Sequence, residues 1–193
     1  MAECYTHDFI NVPRMNVTLV NTSAPELNRL AVALHEHGEL AYFVRPFANR
    51  PRKWLRPLLK VGALSRLYDS SLGRRGIENP ELLQRVIEGG VVADLMMAIV
   101  RRSNLSANLK TKLEFQLYEL MRAGIQKAAV NALSDVTHVL ANVGTALVPF
   151  RASSGTSVKK VLHYPSAHPR YFERVWREEA KLQPEFSKTW PDF

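Results

Sequence analysis

Within about 33 residues, from Met15 to Phe47, the chain reads as strand, tight turn, helix and strand, and few architectures accommodate that order. Met15 to Val20 is apolar and rich in β-branched residues, as a short buried strand requires. Asn21, Thr22 and Ser23 follow as a turn. Ser23-Ala24-Pro25-Glu26 has the form of a capping box with proline in the first helical turn, and Leu27, Leu30, Ala31 and Leu34 then recur at helical spacing. Gly38 can close the helix in a left-handed conformation, and Leu40 to Phe47 predicts a second strand. Such a βαβ unit builds a parallel sheet with a right-handed crossover.

The rest of the chain continues the alternation with a helix-rich middle. Asn79-Pro80 opens a predicted helix that Gly89-Gly90 breaks, and further helices are expected over Val91 to Arg102 and Ser106 to Leu133. Strands are expected at Thr137 to Val143 and Val158 to Tyr164, and a last helix from Pro169 to about Leu182. The expected fold is α/β: an open, mostly parallel sheet flanked by helices on both faces.

Charge is distributed unevenly. The 26 Lys and Arg against 18 Asp and Glu give a net charge of +8. Residues 45 to 75 hold nine of those bases (among them Arg50, Arg52, Lys53, Arg56 and Lys60) and the single acid Asp69, so this segment carries the whole excess. Its bases are interleaved with Trp54 and several leucines, a pattern that suits an anionic membrane surface better than nucleic acid. A uniformly basic nucleic-acid binder is disfavoured, because the remaining residues sum to neutrality.

Cys4 is the only cysteine, which excludes an intrachain disulfide and a cysteine-rich zinc site. No export signal is evident at the N-terminus, and the longest apolar stretch, Val91 to Val100, is interrupted by Asp94 and falls short of a membrane span. A cytoplasmic location is the expectation.

In open parallel sheets ligands bind outside the carboxyl ends of the strands, which directs attention to three loops. They are Asn21-Thr22-Ser23, the Asn142-to-Thr145 loop containing Gly144, and Pro165-Ser166-Ala167-His168. The first and third lead into helix N-termini, where free N–H groups favour an anion such as a phosphate. No G-x-G-x-x-G or G-x-x-x-x-G-K-S/T motif is present. His168 is the leading candidate for chemistry, because imidazole can hold a phosphate, donate to a sugar hydroxyl or move a proton. His163, inside the strand, reads as structural, and the Glu178-Glu179 pair diverges on a helix.

The stretch Lys160 to Phe186, KVLHYPSAHPRYFERVWREEAKLQPEF, resembles a segment of the family-four glycosyltransferases. In those enzymes a strand ends in a small-residue loop of the type S-A-H, followed by a helix with paired glutamates; the matching residues are Ser166, Ala167 and His168, then Glu178 and Glu179. Residues 1 to 14, ahead of the first strand, read as a polar tail. The resemblance implies that residues 15 to 193 form the Rossmann-like, acceptor-side half of a two-domain GT-B fold, without the C-terminal donor-binding half. The chain departs from many family members in carrying Asn21-Thr22-Ser23-Ala24 where they have a glycine pair.

What this resemblance implies is transfer of a sugar from a nucleotide-sugar to a carbohydrate or lipid-linked acceptor with retention of configuration, and no activity without the second half, which could be a separate chain. His168 would be catalytic. Asn21, Thr22, Ser23, Gly144, Thr145, Ser166 and Arg170 would contact substrate, with the nucleotide-sugar as co-substrate and no metal or other cofactor. The alternative expectation is a non-catalytic module that docks on an anionic membrane surface through residues 45 to 75.

Overall fold

The computed structural model describes residues 14–22, 24–48, 77 and 79–164, together with helical residues at 174–175, 177–178 and 181–182. Five strands and five helices, the helices five to twenty-five residues long, follow one another in the described part. They are β1 (Val17–Val20), α1 (Pro25–Glu36), β2 (Leu40–Arg45), α2 (Pro80–Gln84) and β3 (Val86–Glu88). After these come α3 (Val91–Arg102), α4 (Ala107–Asn131), β4 (His138–Asn142), α5 (Leu147–Ala152) and β5 (Lys159–His163).

The strands form one sheet in the order β3-β2-β1-β4-β5, and every pairing is parallel. This is the α/β architecture expected from the sequence, Rossmann-like in its strand order. Alternation along the strands divides the core. Leu19, Phe43 and Val86 pack beneath α1 with Leu27, Ala31 and, from α2, Leu82. Val20, Val44, Val139 and Ala141 pack on the other face with Ile125, Ala128 and Ala129 of α4. Covering both faces is the usual condition for a parallel sheet, since its strands have no solvated side. At one edge, β5 is mostly exposed and opens with Lys159 and Lys160, charges that discourage edge-to-edge pairing.

Two sequence expectations are corrected. The helix opened by Asn79 is only five residues long. The Asn79 side chain caps it as expected, its Oδ1 accepting from the N–H groups of Glu81 at 2.9 Å and Leu82 at 3.1 Å. Instead of continuing to Gly89, the chain then extends as β3, where Val86, Ile87 and Glu88 pair with Phe43, Val44 and Arg45. The capping box at Ser23 is also displaced: the N-cap of α1 is Ala24 and Pro25 takes the first helical position. The physical reason is Asn21, whose Oδ1 accepts from the Ala24 N–H at 2.8 Å and so fixes where the turn ends.

The helices α3 and α4 form an antiparallel hairpin that overhangs the carboxyl edge of the sheet. Near its C-terminus α4 lies against the start of β1, where the Thr18 hydroxyl donates to the carbonyl of Ala132. At the level of β3's carboxyl end, Gly89 and Gly90 meet Gly124 in backbone-to-backbone contact: a Cβ on Gly124 would sit 2.5 Å from the Gly90 nitrogen. From Gly124 back to Ala107, α4 runs about 25 Å further at 1.5 Å per residue, beyond the strands. From Gly90, α3 climbs beside it, tied by the Arg101 Nε to Glu114 Oε2 ion pair at 3.2 Å and by Lys110 Nζ donating to the Arg101 carbonyl at 3.0 Å.

Candidate functional site

The strand order reverses between β1 and β4, so the connections leaving these two neighbours diverge and open a crevice outside their carboxyl ends. The loop after β1 is built around Asn21, which is 2% exposed. Its backbone N–H donates to the Val44 carbonyl, and besides the Oδ1 bond to Ala24 its Nδ2 donates to the Ala24 carbonyl at 2.8 Å and to Asn28 Oδ1 at 3.1 Å. The amide is thereby committed to closing the turn. Thr22, half-buried, is the described side chain of that loop with freedom to meet a ligand.

Removing the Asn21 amide strands buried polar groups at both ends of the turn. Asn21→Ala is expected to lower folding stability by about 1–3 kcal/mol, measured by chemical denaturation.

The loop after β4 has a parallel design. Asn142 Oδ1 accepts from the Gly144 N–H at 3.1 Å, and the Thr145 N–H and hydroxyl both donate to the Asn142 carbonyl, at 2.9 and 3.2 Å. Thr145 is fully buried, so it shapes the loop from beneath. Gly144 lies under the Tyr118 hydroxyl of the overhanging α4: a Cβ there would come within 3.3 Å of that oxygen.

Beside these loops the structure brings together two groups that sequence reasoning had not joined. His163, the last residue of β5, lies in register with Asn142, and its Nε2 is 3.9 Å from Glu26 Oε1 in the first turn of α1. The His163 Nδ1 is enclosed and has no hydrogen-bond partner. The N-cap of α1, Ala24, offers no side-chain acceptor, so the positive end of that helix faces the loop region with Glu26 as its first-turn acid. An imidazole, a carboxylate and a helix N-terminus at one sheet edge can hold an anion and exchange a proton with a hydroxyl. The signal available in the sequence was the position of His163 at a strand's carboxyl end.

Of the residues singled out by sequence, Asn21, Thr22, Gly144 and Thr145 lie in the two loops that flank this crevice. Ser23, Ser166, His168 and Arg170 fall outside the described residues, as do Arg50, Arg52, Lys53, Trp54, Arg56 and Lys60 of the basic segment. Asp94 is buried in the first turn of α3 and is partnered within the protein. Away from the crevice, Val92, Met96, Leu117 and Leu120 line an apolar hollow of about 410 Å³ between α3 and α4. Among the described residues no three His, Cys, Asp or Glu side chains come together as a metal site would need. No described helix is long and apolar enough to cross a membrane.

No protein-family model matches the chain, and no curated protein matches it. Among solved structures, the crystal structure of CalG4, the calicheamicin glycosyltransferase, is similar with a TM-score of 0.44 and 15% sequence identity. The match covers 87% of this chain and 38% of that one, so the chain spans well under half the length of that glycosyltransferase. At this level the likeness assigns neither substrate nor activity.

Proposed function

We propose that this chain is the N-terminal, acceptor-side half of a retaining glycosyltransferase of the family-four, GT-B type, acting on a nucleotide-sugar at the cytoplasmic side of a membrane. The observation that carries the reading is the all-parallel sheet whose order reverses between β1 and β4. The motif stretch that resembles these enzymes begins in β5, whose carboxyl end, His163, sits at the same sheet edge in register with Asn142. In the sequence, Ser166 and His168 come three and five residues after His163.

In this reading the reaction takes place between this half and a donor-binding second half. His168 contacts the donor sugar or its phosphates, while Ser166 and Thr22 line the acceptor side. Negative charge develops on the departing nucleoside diphosphate, and helix N-termini at the sheet edge provide fixed N–H dipoles that favour it without reorganisation. Asn21, with its amide engaged in the turn, acts by holding Thr22 and the start of α1 in place.

The test is a transfer assay over a panel of nucleotide-sugars, run with this chain alone and with the chain joined to a donor-binding half. Product is expected only from the joined protein. Equal turnover by the isolated chain, or none by the joined protein with any donor, would argue against the reading.

A further inference from the structure

We propose that Glu26, oriented by His163 and accompanied by the Asn142 amide, is a subsite for neighbouring hydroxyl groups of an uncharged carbohydrate acceptor. That this ligand is an acceptor rests on the sugar-transfer reading; its chemical class rests on the geometry. Leu140 packs with the core beneath α1, and Asn142, two residues further along β4, shares its face of the sheet. His163 is in register with Asn142 on the next strand and so stands beside it on that face. Its Nε2 lies 3.9 Å from Glu26 Oε1, too far for a direct hydrogen bond and close enough for the two groups to orient each other. The enclosed Nδ1 has no partner to receive a proton, so the neutral ring carries its proton on Nε2, facing the carboxylate. The Glu26 side chain is 50% exposed against 23% for His163, so the carboxylate is the member of the pair that a ligand reaches.

At Asn142 the Oδ1 is engaged by the Gly144 N–H, while the Nδ2 has no partner among the described residues. A carboxylate that only accepts and an amide group that only donates complement adjacent sugar hydroxyls, each of which does both. Charge narrows the choice further. Glu26 lies in the first turn of α1, whose N-cap makes no side-chain bond, so its negative charge is set against the positive end of the helix. That compensation weakens the pull on an ammonium group, and the same carboxylate repels a nucleoside diphosphate. An uncharged polyol is the ligand class that fits, with His163 as a positioning residue and Glu26 as the group in contact.

Proton NMR of the imidazole resonances tests the subsite without turnover, by titrating the chain with the methyl pyranosides of glucose, galactose and mannose and with cyclohexanol as a single-hydroxyl control. At least one pyranoside is expected to shift the His163 signal saturably, and cyclohexanol is not. Glu26→Gln and, separately, Asn142→Asp, which keeps an acceptor for Gly144, should each weaken that binding about tenfold, the scale of one hydrogen bond lost from a site, with circular dichroism unchanged. In the chain joined to a donor-binding half, Glu26→Gln should raise the acceptor KM about tenfold and the donor KM far less. His163→Leu should act in the same direction, and His163→Gln, which restores an N–H facing Glu26, should recover most of the loss. No shift of His163 by any pyranoside, an equal response to cyclohexanol, wild-type binding by Glu26→Gln or an unchanged acceptor KM in that variant would overturn the proposal. Saturable binding that Glu26→Gln weakens, with no sugar transfer by the joined protein, would count against the transferase reading alone.

Discussion

Gly124→Ala is expected to destabilise the protein by about 3 kcal/mol, the upper part of the range for overpacking a closed site. The added Cβ would lie 2.5 Å from the Gly90 nitrogen and 2.7 Å from its Cα. Neither is the end of a flexible side chain, so the helix itself must move. Relief by shifting Gly90 is blocked in turn, because that residue has φ +79° and its own missing Cβ faces the Met121 backbone at 2.5 Å. The three glycines Gly89, Gly90 and Gly124 thus fasten the hairpin to the carboxyl end of β3. For a chain of this size the loss corresponds to a fall in Tm of about 6–12 °C, which differential scanning calorimetry would detect. A change within about half a kilocalorie would show that α3 and α4 can separate at this point without cost, contrary to the close contact described.

The second large effect concerns chemistry. With the chain joined to a donor-binding half, His168→Ala should lower kcat about a hundredfold, the scale set by removing one preorganised stabiliser of developing charge. Asn21→Ala should lower stability and leave kcat much less affected, since its amide is consumed by the turn. Steady-state kinetics of the two variants at a temperature well below unfolding separate these roles. Unchanged turnover in the His168 variant would remove that residue from the mechanism and shift attention to His163 and Glu26.

Much of the fold was legible because its signals are local. The β1–α1–β2 unit, the Asn79 cap, the left-handed Gly38 and the two long helices each depend on a few neighbouring residues. β3 was missed for the opposite reason: three residues, Val86 to Glu88, become a strand only because β2 is beside them, and they follow a helix signal too short to announce its own end. The cap at Ala24 has a similar origin, because the Asn21 side chain closes the turn from three residues away, whereas the capping-box spacing alone points to Ser23.

The site was partly legible. The rule that ligands bind outside strand carboxyl ends selected the loops at Asn21 and Asn142, and these flank the switch point of the sheet. The rule could not tell which side chains are consumed by the loops themselves. Thr145 and Asn21 are buried structural groups, and only the hydrogen bonds reveal it. The approach of His163 to Glu26 depends on the pairing of β5 with β4, and the overhang of α3 and α4 depends on where the glycines let backbones touch. An apolar helical stripe says that a face is covered, not by what, so neither feature was visible in the sequence.

The most direct measurement is the anomeric configuration of the product. Proton NMR of the glycoside formed by the chain joined to a donor-binding half should show, from the anomeric coupling, the same configuration as the nucleotide-sugar donor. A product of inverted configuration, or intact donor after prolonged incubation with suitable acceptors, would contradict the assignment of this chain to a retaining sugar transferase.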